Sequence, residues 1–437
     1  MGWVRTSALC VAAALALPAI CQELPARTAR LAYSESAASI QLAPESPWNV
    51  ATVNTPLTAG NSLFTEPGSR AEVRVSATAI RLAEGSELEI RRLDDDVFEA
   101  NVASGSVSVR VRFAQRGERY VFATPQAVFV LDAEGTYRID YDPVVDESRL
   151  VVASGSAHVE RATGRVVIPA GRSLRLAGGT EPSQGLEAIP EEDEFDHWAQ
   201  SRDAGWSDAS TRRYVSPYVT GYEDLEANGQ WSSDPDYGPV WTPSRVGPSW
   251  SPYSDGRWAN VQPWGWTWID NAPWGYAPFH YGRWVFVRDR WSWCPGRRTD
   301  RPVYSPALVG WTGTGSSVPG PGASGWYPLA PWERFQPWYH ASPAHIDRVN
   351  AIVRDRPPPR DWKGPSDGWR NWNRDHATRT VNRETFPAHT PRESPPRGKP
   401  QQQQQKVPPQ PKPQPHPQAK LPPPPPRPAE KEREKEK

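Results

Sequence analysis

The sequence predicts an all-β protein: two successive regions of antiparallel strands followed by a polar tail. Three observations carry this. Residues 48–178 are short alternating runs of Val, Leu and Ile between Gly- or Pro-containing turns. Residues 214–350 are loaded with Trp, Tyr, Pro and Gly, and 20 of the 22 Trp fall between Trp198 and Trp372. The chain from about 351 onward is Pro-, Gln- and Lys-rich, which with 50 Pro and a mean hydropathy of −0.69 leaves that part unable to bury a core.

The first region alternates with period two. Ala71, Val73 and Val75 form one such run; Val107, Val109 and Val111 a second; Tyr137, Ile139 and Tyr141 a third. That period marks a strand with one buried face. Turns EPGS, AEGS, ASGS, AEG and PAG separate the runs. The region also repeats itself: VASGSVSV (102–109) returns as VASGSAHV (152–159), and TAGNSL (58–63) as PAGRSL (169–174). The expected form is a sandwich or short coil of strands without a long helix.

The stretches FATPQAVFVLDAEGTYRID (122–140), VVASGSAHV (151–159) and VIPAGRSLRL (167–176) resemble the periplasmic FecR domain over roughly 50–178. The resemblance implies an extracytoplasmic β domain. Proteins of that family relay a receptor's state to a sigma factor through a cytoplasmic N-terminal segment. Here the chain opens on MGWVRTSALCVAAALALPAICQEL, with one Arg, an apolar run over Ala8–Ile20 and an Ala-x-Cys step. This reads as a signal peptide, 1–21, and its run falls short of the ~20 residues that span a bilayer. Pro18-Ala19-Ile20 departs from the pattern that precedes a lipidated Cys21. No later stretch is apolar enough to cross a membrane. Export to the periplasm or surface of a Gram-negative-type cell is expected.

An acidic connector, 179–213, follows; Phe195 and Trp198, three apart, place a short helix over 193–200. Beyond it Gly-x-Trp recurs: GQW (229–231), GRW (256–258), GRW (282–284) and a looser YSPALVGW (304–311). A second Trp follows nine or ten residues later, at Trp241, Trp268 and Trp293. Each unit reads as a β-hairpin, and a fixed period means repeated supersecondary units. This stretch, with YVSPYVTGYEDLEANGQW and GWYPLAPWERFQPWYHASPAHIDRVN at its ends, resembles an uncharacterised Trp/Tyr-rich domain of bacterial exported proteins over about 214–350. The resemblance implies architecture and location but no chemistry.

WSPYSDGRW (250–258) and YAPFHYGRW (276–284) supply the candidate ligand-stacking residues: Trp250, Tyr253, Trp258, Tyr276, Phe279 and Trp284, with Arg257 and Arg283. Exposed, these rings would stack on sugars of peptidoglycan or another envelope glycan. Buried, they would be construction, with Trp258 and Trp284 at equivalent inward positions, Gly256 and Gly282 allowing the bend, and Arg257 and Arg283 covering an aromatic face. The strict spacing favours construction.

No enzyme is expected. The eight His are scattered, and no nucleophile elbow, Walker loop or His-Glu-x-x-His is present. Asp234, Asp236, Asp255 and Asp270 read as turn residues, Asp94-Asp95-Asp96 as a solvated turn, and Cys294, alone in the mature chain, as a small apolar residue. No cofactor or metal is called for. Zero net charge argues against nucleic acid. The expected role is a non-catalytic envelope scaffold or ligand-binding module, with FecR-type signalling and glycan binding as alternatives. The tail, 351–437, is expected to be disordered and to offer proline-rich segments to envelope proteins.

Overall fold

The computed structural model describes residues 23–35, 38–161, 164–177, 185–204, 210–299, 301–312, 325–355, 371 and 377–380. The predicted signal peptide and most of the predicted tail lie outside the described residues. The fold is all-β. The first region runs β1 (Ala29–Ser34), β2 (Ala38–Gln41), β3 (Trp48–Val50), β4 (Pro56–Leu57), β5 (Ser62–Thr65), β6 (Ala71–Val75), β7 (Thr78–Leu82), β8 (Glu87–Leu93), β9 (Val97–Val111), β10 (Arg119–Ala123), β11 (Val128–Leu131), β12 (Gly135–Asp142), β13 (Glu147–Ser154), β14 (Ser156–Arg161), β15 (Gly164–Pro169), β16 (Arg172–Ala177) and β17 (Glu187–Ala188).

These strands form two ladders. One runs β4-β1-β6-β7-β9-β12-β13-β16-β17. The other runs β3-β2-β5-β8-β9-β10-β11-β14-β15, with β9 and β10 parallel and the rest antiparallel. The long β9 belongs to both. Its first half pairs with β8 and β10, and from Gly105 onward it pairs with β12 and β7. Phe98, Ala100 and Val102 are buried on the first half, Val107, Val109 and Val111 on the second. The inward face thus changes from even to odd residues at the crossing, which requires an irregular step in a period-two strand. Gly105 supplies it with φ +80°, and a Cβ there would lie 2.6 Å from the Ser86 Cα.

The repeated phrases are these crossings. VASGS at 152–156 spans the step from β13 in one ladder to β14 in the other. The AG turns at Gly60 and Gly171 join β4 to β5 and β15 to β16, again changing ladder. Chain winding between two faces encloses one core that includes Leu31, Val73, Ile80, Phe98, Ile139 and Leu174.

The second region contains α1 (Glu194–Ala204), β18 (Gly229–Asp234), β19 (Gly238–Pro243), β20 (Gly256–Val261), β21 (Gly265–Asp270), α2 (Ala277–His280), β22 (Arg283–Val287), β23 (Arg290–Cys294), β24 (Val309–Thr312), β25 (Gly325–Pro328), α3 (Pro343–Val349), α4 (Ala351–Asp355) and β26 (Arg379–Thr380). The pairs β18–β19, β20–β21 and β22–β23 are antiparallel hairpins, and β24 pairs with β25.

Charge joins this region to the sandwich. Glu72 on β6 is fully buried and pairs with Arg74 (2.6 Å), Arg81 (2.8 Å) and Arg202 of α1 (3.1 Å). Burial opposes its charge; Arg74, Arg81 and Arg202 outweigh burial and hold the carboxylate below its ordinary range. Arg74 continues to Glu223 (2.5 Å) and Asp224 (3.1 Å), and Arg30 to Asp224, Asn54 and the Pro273 carbonyl. Arg81 and Arg112 share Asp203 of α1. Asn54 donates to the carbonyls of Asp270 and Ala272, both at 2.8 Å.

Three expectations are corrected. The strand region starts at Ala29, before the predicted residue 48, because β1 carries a buried Arg30 that spoils its apolar pattern. The predicted tail contains structure: α4, a buried Asn371 that donates to the carbonyls of Trp284 and Pro328, and β26 paired to β25. Asp94-Asp95-Asp96 is more than a solvated turn. Asp94 accepts from the amides of Asp96 and Val97, while Asp95 pairs with Arg348 and Asp96 with Arg301 of the aromatic region. The helix expected over 193–200 forms as α1 and packs on the sandwich through Arg202 and Asp203.

Removing Glu72 leaves three guanidiniums without their shared carboxylate. Glu72→Ala is expected to lower stability by about 3–5 kcal/mol. Glu35→Ala, which breaks the half-exposed Arg70 pair, is expected to cost about 0–1 kcal/mol. Urea denaturation of both variants checks the order; equal losses would deny the network its structural weight.

Candidate functional site

The Gly-x-Trp units share one register. Trp231 faces Trp241, Trp258 faces Trp268, Trp284 faces Trp293 and Trp311 faces Trp326 across their strand pairs. The rings of Trp258 and Trp268 meet edge to face at 5.6 Å, and Trp258 also meets Trp326 at 5.7 Å. The glycine two residues before the first Trp has one job in three units: the partner indole lies over it. A Cβ on Gly229 would sit 2.3 Å from Trp241, on Gly256 2.6 Å from Trp268, and on Gly282 2.6 Å from Trp293. Close approach, rather than a bend, explains Gly256; Gly282 has in addition a φ of +65°.

Burial decides the predicted stacking residues. Tyr253, Tyr276 and Phe279 are 0% exposed, Trp284 1% and Trp258 2%, so these five offer no ring face to a ligand. Their polar atoms also turn inward. Tyr253 donates to the Phe279 carbonyl and accepts from the Leu308 amide; Trp284 donates to the Pro278 carbonyl. Trp250 is half-buried, edge-on to Trp274 and Trp284. The arginines do not cover rings as expected. Arg257 is exposed and donates to Thr52 of the sandwich; Arg283 is buried and donates to Gly282 O, Asn350 Oδ1 and Glu333 O.

The titratable groups of this core are strongly perturbed by burial. Burial pushes the Asp270 carboxyl up to about 8, against hydrogen bonds from Trp268 and Ala272. It pushes Glu333 up to about 7, against the Ala330 amide and Arg283, and His280 down to about 3. Asp270 and Asp234 both serve turns: Asp270 caps Ala272, and Asp234 accepts from the amides of Asp236 and Tyr237. Among the described residues no group of three His, Cys, Asp or Glu side chains is placed to hold a metal. Cys294 is buried and outside any disulfide.

An open groove lies at the turn of the β20–β21 hairpin. It has a volume of about 360 Å³ and is walled by Gln262, Pro263, Trp264 and Trp266 on one side and Trp338, Tyr339 and His340 on the other. Trp266, Trp338 and Tyr339 are half-buried, so part of each ring faces the groove. Trp338 is held edge-on by Trp311 (5.6 Å) and Phe335 (5.7 Å), and its buried Nε1 has no acceptor. Among the described residues no Asp, Glu, Lys or Arg lines it. Repeat spacing did not single out these residues. One signal was present: Gln-Pro-Trp occurs at 262–264 and again at 336–338, and the structure brings the two Trp to facing walls.

Two outcomes are expected. Gly256→Ala forces the Trp268 ring to move and should cost about 1–3 kcal/mol, whereas Gly247→Ala, with open space around it, should be near neutral; thermal denaturation separates them. Glu333 is protonated more readily folded than unfolded, so its contribution is intact below its ordinary value of 4.5 and is lost as pH rises through about 7. Its Oε2 accepts from Ala330 while Oε1 has no partner, so the amide of Glu333→Gln preserves the bond. The variant should therefore gain up to about 3 kcal/mol over the parent at pH 8.5 and nothing at pH 4. A pH-independent difference in urea midpoint would refute this.

Residues 222–333, which hold Glu223, Asp224 and all four Trp pairs, match the model of a family described as a family of unknown function, DUF6600. No curated protein matches the chain. Among solved structures, two crystal structures of a "putative anti-sigma factor" from Parabacteroides distasonis are similar to part of it. One has 11% identity and a TM-score of 0.26 over 32% of this chain and 64% of that one; the other has 12% and 0.25 over 33% and 63%. The chain thus spans a little under two thirds of those proteins and shares a DUF6600 segment with a family whose role is open.

Proposed function

We propose that the chain is a non-catalytic scaffold of the bacterial cell envelope that binds a neutral glycan in the groove between Trp266 and Trp338. The observation that carries this reading is the groove itself: partly exposed indole faces in a wall that, among the described residues, has no charged side chain. Sugar rings present apolar C–H faces to aromatic planes and hydroxyls to neutral polar groups, and the exposed Gln262 and His340 offer such groups. Five of the six rings in the repeated phrase, Tyr253, Trp258, Tyr276, Phe279 and Trp284, are buried, so they do not compete with the groove as a stacking surface. The N-terminal apolar run and Ala-x-Cys step support export as the route to the envelope.

Purified mature protein, with and without residues 381–437, is expected to be retained on peptidoglycan sacculi or on a neutral polysaccharide resin. Trp266→Ala and Trp338→Ala should each weaken retention roughly three- to tenfold, with the half-buried Trp266 variant keeping a cooperative unfolding transition. Equal retention of parent and Trp266→Ala would remove the groove from the reading. Retention lost only with the tail would assign binding to 381–437 instead.

A further inference from the structure

A second cavity lies on another side of the aromatic region. It holds about 60 Å³ and is bounded by the ends of β22 and β23, the segment Arg301–Val303 and the α3–α4 junction. Four of its lining residues are arginines, Arg283, Arg297, Arg301 and Arg348, and among the described residues no Asp or Glu lines it. A single water needs ~10–15 Å³ of such space, so the cavity accepts a group of several heavy atoms.

Arg283 is the informative member. It is 1% exposed, and among the described residues its guanidinium donates to neutral acceptors, the carbonyls of Gly282 and Glu333 and the Asn350 side chain, while the Glu333 carboxylate attracts it without a hydrogen bond. A buried cation without a carboxylate in contact is costly, and an anion beside it relieves that cost. Arg348 and Arg301 reach the sandwich on their other sides, through Asp95 and through Asp96 and Glu118. The buried Arg301 Nε has no acceptor. Arg297 is exposed at the rim. Arginine forks match the paired oxygens of carboxylate and phosphate.

We infer that this cavity is an oxyanion site, taking a carboxylate or phosphate group between Arg283, Arg301 and Arg348. The inference is independent of the glycan groove. It also gives the junction with the sandwich a ligand, since two of the three arginines bridge to it.

Isothermal titration calorimetry on the mature protein tests it, with sodium phosphate, sodium acetate and glycerol 3-phosphate at constant ionic strength set by chloride. Saturable one-site binding of phosphate or acetate is expected, absent with chloride alone. Preference for glycerol 3-phosphate over inorganic phosphate would mark an esterified ligand, and the reverse a free ion. Arg283 substitution risks the fold, so Arg348→Gln and Arg297→Gln are the informative variants. Arg348→Gln should bind ~tenfold more weakly with its melting curve otherwise cooperative. Heats that track ionic strength alone, or unchanged affinity in both variants, would overturn the assignment.

Discussion

The shared carboxylate of Glu72 is the constraint on which the arrangement rests. A carboxylate with no solvent exposure is unfavourable unless every lone pair is met, and here three guanidiniums meet it from three elements: β6 itself, β7 and α1. Each of those arginines then needs further acceptors. Arg74 finds Glu223 and Asp224, and Arg81 finds Asp203. The chain of requirements fixes α1 and the start of the aromatic region against the sandwich. Ion pairing is directional where apolar contact is not, so it sets one orientation rather than mere adhesion. The segment Ala26–Thr28 adds to it: Ala26 donates to Asp95 and accepts from the Tyr304 amide, and Arg27 pairs with Glu118. Residues close behind the predicted signal peptide are thus built into the junction.

The aromatic region solves a different problem. Hairpins of six-residue strands bury little on their own. Facing Trp pairs supply large apolar area per residue, and a glycine beneath the partner indole lets each ring lie flat on the neighbouring strand. The indole N–H groups then need acceptors, and carbonyls outside the hairpin strands supply them: Trp241 to Leu225, Trp284 to Pro278, Trp293 to Tyr281. The sequence phrase Gly-x-Trp with a second Trp about ten residues on is the linear trace of that packing.

The sequence made much of this legible, and the misses have physical causes. Period-two alternation located the strands β6, β9 and β12, and the duplicated VASGS and AG turns marked the corners before their meaning was visible. The parity change within β9 could not be read without knowing which ladder each half joins. β1 escaped because ARLAYS carries a buried arginine, and pattern reading assigns charge to the surface. The buried positions within the predicted tail escaped for a related reason: Asn371 and Ala377 lie in a stretch whose average composition is polar. Trp258 and Trp284 hold the inward positions that spacing predicts. Arg257 and Arg283 do not cover rings, because hydrogen-bond acceptors, which leave no periodic signature, decide where a guanidinium goes.

The location of the groove follows from where the repeat fails. In the first three units the two Trp are joined by nine or ten residues, and each hairpin closes on itself. In the fourth, Trp311 faces Trp326, fifteen positions on, a spacing that breaks the regular period. Trp338 packs against Trp258 (6.1 Å) and Trp311 (5.6 Å), joining a position where a regular fifth unit would continue the pattern. It brings Tyr339 and His340 up beside the β20–β21 turn but leaves a gap there. Trp258 and Trp284 of the regular units are buried among other rings, whereas Trp266 and Trp338 keep partly exposed faces beside this gap. An aromatic surface with room for a ligand therefore arises at Pro263–Trp266 and Trp338–His340, and not on the regular faces that the repeated phrase first draws attention to.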